Sequence, residues 1–391
     1  MIFDEIHHCG DELSWGDSIK NEFGLAYSRL LLSGTPFRSD DKPIPFVIYD
    51  EEGGLRKSHA DYNYGYGDAL QDEGVCRYVV FPTYDGEMTW SYDFEIKKAT
   101  FEDELLNDQE AKHRLDTALS PDGDWLKTVL EKANQKLQDI RTKAEAAHPD
   151  AGGLVITKDD NHARKIVTLL ENITGEKPAI VTHKEEDAAS VIADFEHSNK
   201  RWIVAVKMVS EGVDIPRLRV GVYATNIQTE LFFRQALGRI IRWIHGIEYQ
   251  EAWFYVPKID PLLIYIEQIK EERDHVLADD NDDGIDNSST DVGMGERQQS
   301  FYAPISSIAI EGGEWFDGDY FSPPELEKAR LFKQTLGASF KDDPEAKIAK
   351  ILRATAHSQS VAGTQVSEQA TIPIQPQTSI RKQTAREDER S

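Results

Sequence analysis

Cysteine is nearly missing from this chain, with only Cys9 and Cys76 in 391 residues. The two form neither a metal-ligand spacing nor a disulfide framework, so the fold must be held by packing, as expected in a reducing cytoplasm. Long apolar runs are absent as well. No stretch reaches the roughly 18–20 residues that a membrane span requires, and the N-terminus does not read as a secretion signal, which argues against a membrane protein. Positive charge is scarce, with 44 Lys and Arg against 70 Asp and Glu and a net charge of −26. That balance excludes a protein that coats nucleic acid over its whole surface, but not one with a local basic channel. Much of the acidic excess falls between Glu267 and Glu296. A phosphate loop of the form Gly-x4-Gly-Lys-Ser/Thr is also lacking. Its nearest approach, Gly53-Gly54-Leu55-Arg56-Lys57-Ser58, has the wrong spacing and no apolar strand before it.

What is present begins with the stretch from Gln228 to Trp243, where Gln235, Gly238, Arg239 and Arg242 follow a Q-x-x-G-R-x-x-R pattern. The spacing predicts a helix over Glu230–Arg242 with Gln235, Arg239 and Arg242 on one face. Paired guanidinium forks suit a transferring phosphoryl group, whose charge they stabilise. At the start of the chain, the apolar run Met1-Ile2-Phe3 ends in Asp4-Glu5. That reads as a strand delivering two carboxylates at its C-terminal end, where parallel sheets bind ligands. One carboxylate can hold Mg²⁺ through its water shell and the other can orient or deprotonate an attacking water. Between two apolar runs, Glu211-Gly212-Val213-Asp214 forms a glycine-containing turn that allows close backbone approach to a ligand.

Together these stretches resemble the superfamily 2 DEAD/DEAH-box helicases, in the restriction-enzyme (type III restriction subunit-like) form. Asp4-Glu5-Ile6-His7 looks like the D-E-x-H box (motif II) and Ser33-Gly34-Thr35-Pro36-Phe37-Arg38 like motif III. Glu211 to Pro216 looks like motif V and Gln235 to Arg242 like motif VI, in the family's order over about two-thirds of the chain. The resemblance implies an α/β fold of two RecA-like P-loop NTPase lobes with parallel sheets, the first incomplete and the second complete. It implies ATP and Mg²⁺ as cofactors, with Asp4 and Glu5 at the metal and facing Arg239 and Arg242 across a cleft. By the same carry-over, Glu5 activates water and His7 links the nucleotide to the nucleic-acid side. Ser33 and Thr35 couple phosphate loss to movement. Glu211, Gly212 and Asp214 contact the nucleotide, Arg242 is the arginine finger, and Arg239 and Gln235 assist it. Thr182, His183, Thr225 and Asn226 would meet the phosphates of one strand, DNA rather than RNA by analogy alone.

In that family the phosphate loop precedes the D-E-x-H box, and here Asp4 follows only three residues. The expectation is therefore an N-terminally truncated frame, a fragment, or half of a split protein, with an upstream polypeptide supplying the loop. Two functions compete: an ATP-dependent helicase or translocase, and a catalytically inactive piece acting as a nucleic-acid or protein interaction module.

The domain expectations follow from pattern. Residues 1–100 form the partial first lobe with an aromatic hairpin, whose strands Val75–Pro82 and Met88–Phe94 flank an Asp85-Gly86 turn. The hairpin rings either pack on that lobe or stack on bases. Residues 101–150 are a helical connection broken at Pro121-Asp122-Gly123. Residues 151–278 alternate strands and helices as right-handed βαβ units of a second lobe. The acidic stretch 279–300 reads as a linker, since its D-x-N-x-D opening lacks the Glu that completes a Ca²⁺ loop. Residues 301–352 form a small accessory unit with a strand at Ile305–Ile310, and 353–391 a disordered tail.

Overall fold

The computed structural model describes residues 1–6, 13–34, 43–52, 55–72, 74–103, 106–142, 148–182, 187–206, 214–247, 250–274, 302–316, 319–336 and 344–353. The expected acidic linker and the tail from 354 onward lie outside these residues.

The fold is α/β, with one large sheet that is parallel through its middle. Its parallel strands are β5 (Tyr78–Tyr92), β7 (Gly152–Thr157), β8 (Ala179–Val181), β9 (Trp202–Val206), β10 (Leu218–Ala224) and β11 (Glu251–Pro257), in the order β5-β11-β10-β7-β9-β8. Strands β7, β9 and β10 are buried along their full length, as expected of strands covered by helices on both faces. The connecting helices are α5 (Asp160–Thr174), α6 (Ala188–Glu196), α7 (Glu230–Gly238) and α8 (Asp260–Asp274). The alternation of β7 to β11 with these helices follows the sequence pattern, except that α7 ends before Arg242. Two helices precede β7, namely α3 (Asp108–Ala118) and α4 (Asp124–Thr142), with the expected break between them. The inner face of α4, formed by Trp125, Leu126, Val129, Leu130, Ala133 and Leu137, is buried in the core.

The expected Asp85-Gly86 turn does not form. Strand β5 runs straight through it, and the chain reverses at Asp93-Phe94 before β6 (Glu95–Thr100). Asp93 and Phe94 have φ of 48° and 68°, the double positive φ that a two-residue hairpin needs to match strand twist. Asp85 is buried and its Oδ1 accepts from the Gly86 and Phe101 amides. Trp125 donates to the Asp85 carbonyl at 2.8 Å. A Cβ at Gly86 would lie 2.5 Å from Trp125 Cδ1 and 2.7 Å from the Ile308 oxygen. This glycine therefore serves a close approach within a strand, the other common reason for one there.

The aromatic residues of this segment do not pack on the N-terminal piece, as the sequence suggested. Phe81 lies against Phe233 and Phe254, Tyr84 stacks on Tyr255, and Trp90 is fully buried. Strand β12 (Tyr302–Phe316), expected as a short strand in an accessory unit, pairs antiparallel with β5 from Val80 to Tyr92 and carries β13 (Asp319–Phe321) on its outer side. Helix α9 (Pro323–Leu336) follows.

The N-terminal piece is separate in its pairing. Strands β1 (Ile2–Phe3) and β2 (Leu30–Leu31) pair parallel around α1 (Leu13–Phe23), with Phe3 against Phe23 and Phe46. β3 (Tyr49–Glu52) and β4 (Leu55–Ser58) make a two-stranded hairpin, and α2 (Tyr66–Gln71) leads to β5. Ile2 and Leu30 are 67% and 50% exposed.

Candidate functional site

The residues expected at a nucleotide divide between two parts of the molecule. Asp4 and Glu5 follow β1 and are exposed, and the buried Ile6 anchors the turn by donating its amide to the Leu32 carbonyl. Glu5 takes φ of 50°, a left-handed conformation that side chains other than glycine and asparagine adopt at a cost. No cluster of three or more His, Cys, Asp or Glu side chains suited to a metal occurs among the described residues. Two exposed carboxylates still fit Mg²⁺, which keeps several waters and takes one or two carboxylates plus substrate phosphates. Ser33 follows β2, beside this turn. His7, Thr35, His183, Glu211 and Gly212 lie outside the described residues.

The second group lies at the N-terminal edge of the large sheet. Asp214 sits four residues before β10 begins, and Arg242 lies between α7 and β11. Arg242 Nε is 3.5 Å from Asp214 Oδ1, and the two side chains are 50% and 63% exposed. An acidic residue of one motif and an arginine of another thus meet at the surface, with the guanidinium fork still open to an anion.

The expected single helix through Arg242 is not formed. Helix α7 ends at Gly238, so Gln235 lies on it while Arg239 is its C-cap and Arg242 is beyond it. Arg239 and Ile240 donate to Ala236 and Leu237, the tighter i−3 pattern that closes a helix. Beyond Gly238 the chain leaves the helical path and is tied to the segment that precedes β5. Ile240 O accepts from the Arg77 side chain and Ile241 O from the Arg77 amide, while Arg242 makes an antiparallel bridge with Cys76. Arg239 and Arg242 therefore do not share a helical face.

Arg77 is the residue that sequence reasoning missed. It is fully buried. Its Nε donates to Gln250 Oε1 (3.0 Å), Nη1 to Leu218 O (2.6 Å) and Ile240 O (3.1 Å), and Nη2 to Pro216 O (2.8 Å). Burial, and behind it the Arg219 guanidinium, push its pKa down to about 8. Gln250 in turn takes the Ile244 amide and donates to the Ile244 and Ile247 carbonyls, closing the loop after Arg242. Nothing around Arg77 in sequence marks this role, because its partners are more than a hundred residues away.

The candidate nucleic-acid residues occupy the opposite edge, at the C-terminal ends of the parallel strands. Thr182 follows β8, and Thr225 and Asn226 follow β10. Both threonines are buried, and Thr225 Oγ1 accepts from the Ile227 amide, while Asn226 is half-buried. Thr157, at the end of β7, is a third buried threonine on this edge and donates to the Ala205 carbonyl.

No protein-family model matches the chain. An uncharacterized protein of Mycobacterium tuberculosis is 42% identical over 329 residues, which is 82% of this chain and 53% of that protein. The DNA 3'-5' translocase XPB2 of Sulfurisphaera tokodaii is 26% identical over 264 residues, 62% of this chain and 55% of its own length. Among solved structures, the fragment of a putative HsdR subunit of a type I restriction enzyme from Vibrio vulnificus aligns with 63% of this chain and 42% of its own, at 16% identity and a TM-score of 0.42. The chain spans about half the length of the curated relatives it matches. Among the described residues, no helix is long and apolar enough to cross a membrane.

Proposed function

We propose that the chain is part of an ATP-dependent superfamily 2 helicase or DNA translocase built on two RecA-like lobes. The observation that carries this reading is the meeting of Asp214 and Arg242 at one exposed edge. It joins residues from two of the four ordered motifs, an arrangement that a chance match of short motifs does not require. The likeness to a DNA translocase supports DNA as the track.

In this reading the large sheet belongs to the second lobe, and the β1–β2 piece belongs to the first. Arg242, at the surface of the second lobe, stabilises charge developing on the γ-phosphate when the lobes close. Asp214 orients its guanidinium and contacts the nucleotide, alongside Glu211 and Gly212. Asp4 and Glu5 would hold Mg²⁺ through its water shell, and the ion would supply positive charge against the nucleotide phosphates. Glu5 orients the attacking water. His7, Ser33 and Thr35 couple phosphate loss to lobe movement, and Gln235 and Arg239 support the arginine finger. The nucleic-acid strand crosses the opposite edge, where backbone amides and Asn226 near Thr182, His183 and Thr225 receive its phosphates. Additional polypeptide supplies the phosphate-cradling loop and covers the bare Ile2 and Leu30, because a two-stranded sheet is not stable by itself.

A second reading, a nucleic-acid-binding module without hydrolysis, is favoured by the absence of a Gly-Lys-Ser/Thr loop from these residues. The deciding experiment measures ATP hydrolysis and DNA binding by the 391-residue chain, beside Arg242→Ala. Turnover that DNA stimulates and Arg242→Ala removes supports the motor. Salt-dependent DNA binding without turnover supports the module. Neither binding nor turnover overturns both.

A further inference from the structure

We propose that Arg77, which belongs to none of the nucleotide motifs, is the positioning residue that sets the separation of Asp214 and Arg242. The inference rests on the nucleotide reading above for its purpose and on geometry for its mechanism.

Asp214 and Arg242 cannot hold themselves in place. Both are half or more exposed, and an exposed ion pair is too weak to fix its own geometry. The segments carrying them are 28 residues apart and join different elements. Arg77 reaches both. Its Nη2 holds the carbonyl of Pro216, two residues beyond Asp214, and its Nη1 holds that of Ile240, two residues before Arg242. The third anchor, Leu218 O, is the start of β10, and the fourth, Gln250, closes the loop that returns to β11. The main chain repeats the link, since the Arg77 amide donates to Ile241 O and Cys76 bridges Arg242.

These four side-chain partners are three carbonyls and an amide oxygen, with no carboxylate among them. A buried guanidinium balanced only by dipoles is expensive to keep, and the core could have been filled more cheaply with an apolar side chain. What the guanidinium offers instead is a planar fork whose donors diverge at fixed angles. A lysine at this position would offer its three donors from a single nitrogen and could not span the same separation.

Arg77 immediately precedes β5, which pairs with β11 from its first residue, Tyr78. The segment that arrives from the N-terminal piece therefore enters the sheet directly at the strut. Displacement of residues 74–77 would move Ile241 and Arg242 with it, giving lobe closure a short path to the arginine finger.

The test uses the full chain with Arg77→Gln and, in case that variant fails to fold, Arg77→Lys. Hydrogen exchange is followed by mass spectrometry in peptides covering 214–218 and 240–247, with β7 and β9 as internal controls. Binding of N-methylanthraniloyl-ATP is titrated in parallel. We expect exchange in both site segments to rise at least tenfold in Arg77→Gln, and less in Arg77→Lys, with β7 and β9 unchanged. Nucleotide affinity should fall at least tenfold, and the loss should vanish when Arg77→Gln is added to Arg242→Ala, because residues acting as one unit are not additive. Unchanged exchange at the two segments, equal acceleration in β7 and β9, or additive losses of affinity would each overturn the proposal. Failure of the wild-type chain to bind the nucleotide analogue would instead sink the nucleotide reading, while the exchange pattern still tests the strut.

Discussion

Gly86 and Gly238 show why a glycine must be judged by its surroundings. A Cβ at Gly86 meets the Ile308 backbone oxygen at 2.7 Å as well as the Trp125 ring, and the backbone atom cannot move aside. Gly86→Ala should lower stability by about 1–3 kcal/mol in a urea melt. Gly238 has nothing within 4 Å and an ordinary φ, so Gly238→Ala should leave stability unchanged or slightly raised. If Gly238→Ala nevertheless weakens nucleotide binding, the space above it is where the nucleotide lies. Arg242 follows the same logic. Its only described ion pair is exposed, so Arg242→Ala should shift unfolding by less than about 0.5 kcal/mol. It should also remove roughly 10³-fold or more of any DNA-stimulated hydrolysis.

At the scale of elements, local chemistry and tertiary demand can be separated. Helix α3 begins on a reciprocal capping box in which Asn107 accepts from the Glu110 amide and Glu110 accepts from the Asn107 amide. Asn107→Ala should cost about 1 kcal/mol by chemical denaturation. That cap, and the Asp159 cap of α5 with Gly175 in the left-handed region at its end, are signals a reader of the sequence can use. The end of α7 is different. The Gln235–Arg242 pattern has helical spacing and apolar neighbours throughout, yet the helix stops at Gly238 and the residues after it are bound to Arg77 and Cys76, a segment far away in sequence. Likewise, Asp85-Gly86 is good turn chemistry, overruled by the packing of Trp125 and the pairing of β12 with β5 on both sides of it.

For the molecule as a whole, acid sensitivity is built into two buried histidines. Burial lowers His162 and His148 from 6.5 to about 4. His162 Nε2 lies 2.7 Å from the Leu119 carbonyl, so the neutral ring donates there. Arg219, Arg77 and Arg217 also surround His148 with positive charge, partly opposed by Asp150. Between pH 6.5 and about 4 the unfolded chain takes up protons that the folded chain refuses. Stability from these groups is therefore complete above pH 6.5 and is lost as pH falls toward about 4. The loss at His162 is on the order of 3 kcal/mol. Thermal melts over this range should show the decline, and His162→Gln, which can keep the bond to Leu119, should flatten it.

From the sequence alone came the α/β class, the strand–helix alternation through residues 151–274 and the ordered motifs. These are legible because burial imposes a period of two or 3.6 on nearby residues, and because motif chemistry needs fixed local spacing. Tertiary structure decided the rest. It placed β5 and β12 in the large sheet, carried Asp214 to Arg242, and buried Arg77 among carbonyls from three distant segments. Those outcomes depend on which carbonyls and faces remain unpaired once the sheet has assembled, a competition between residues far apart in the chain that leaves no periodic trace in it.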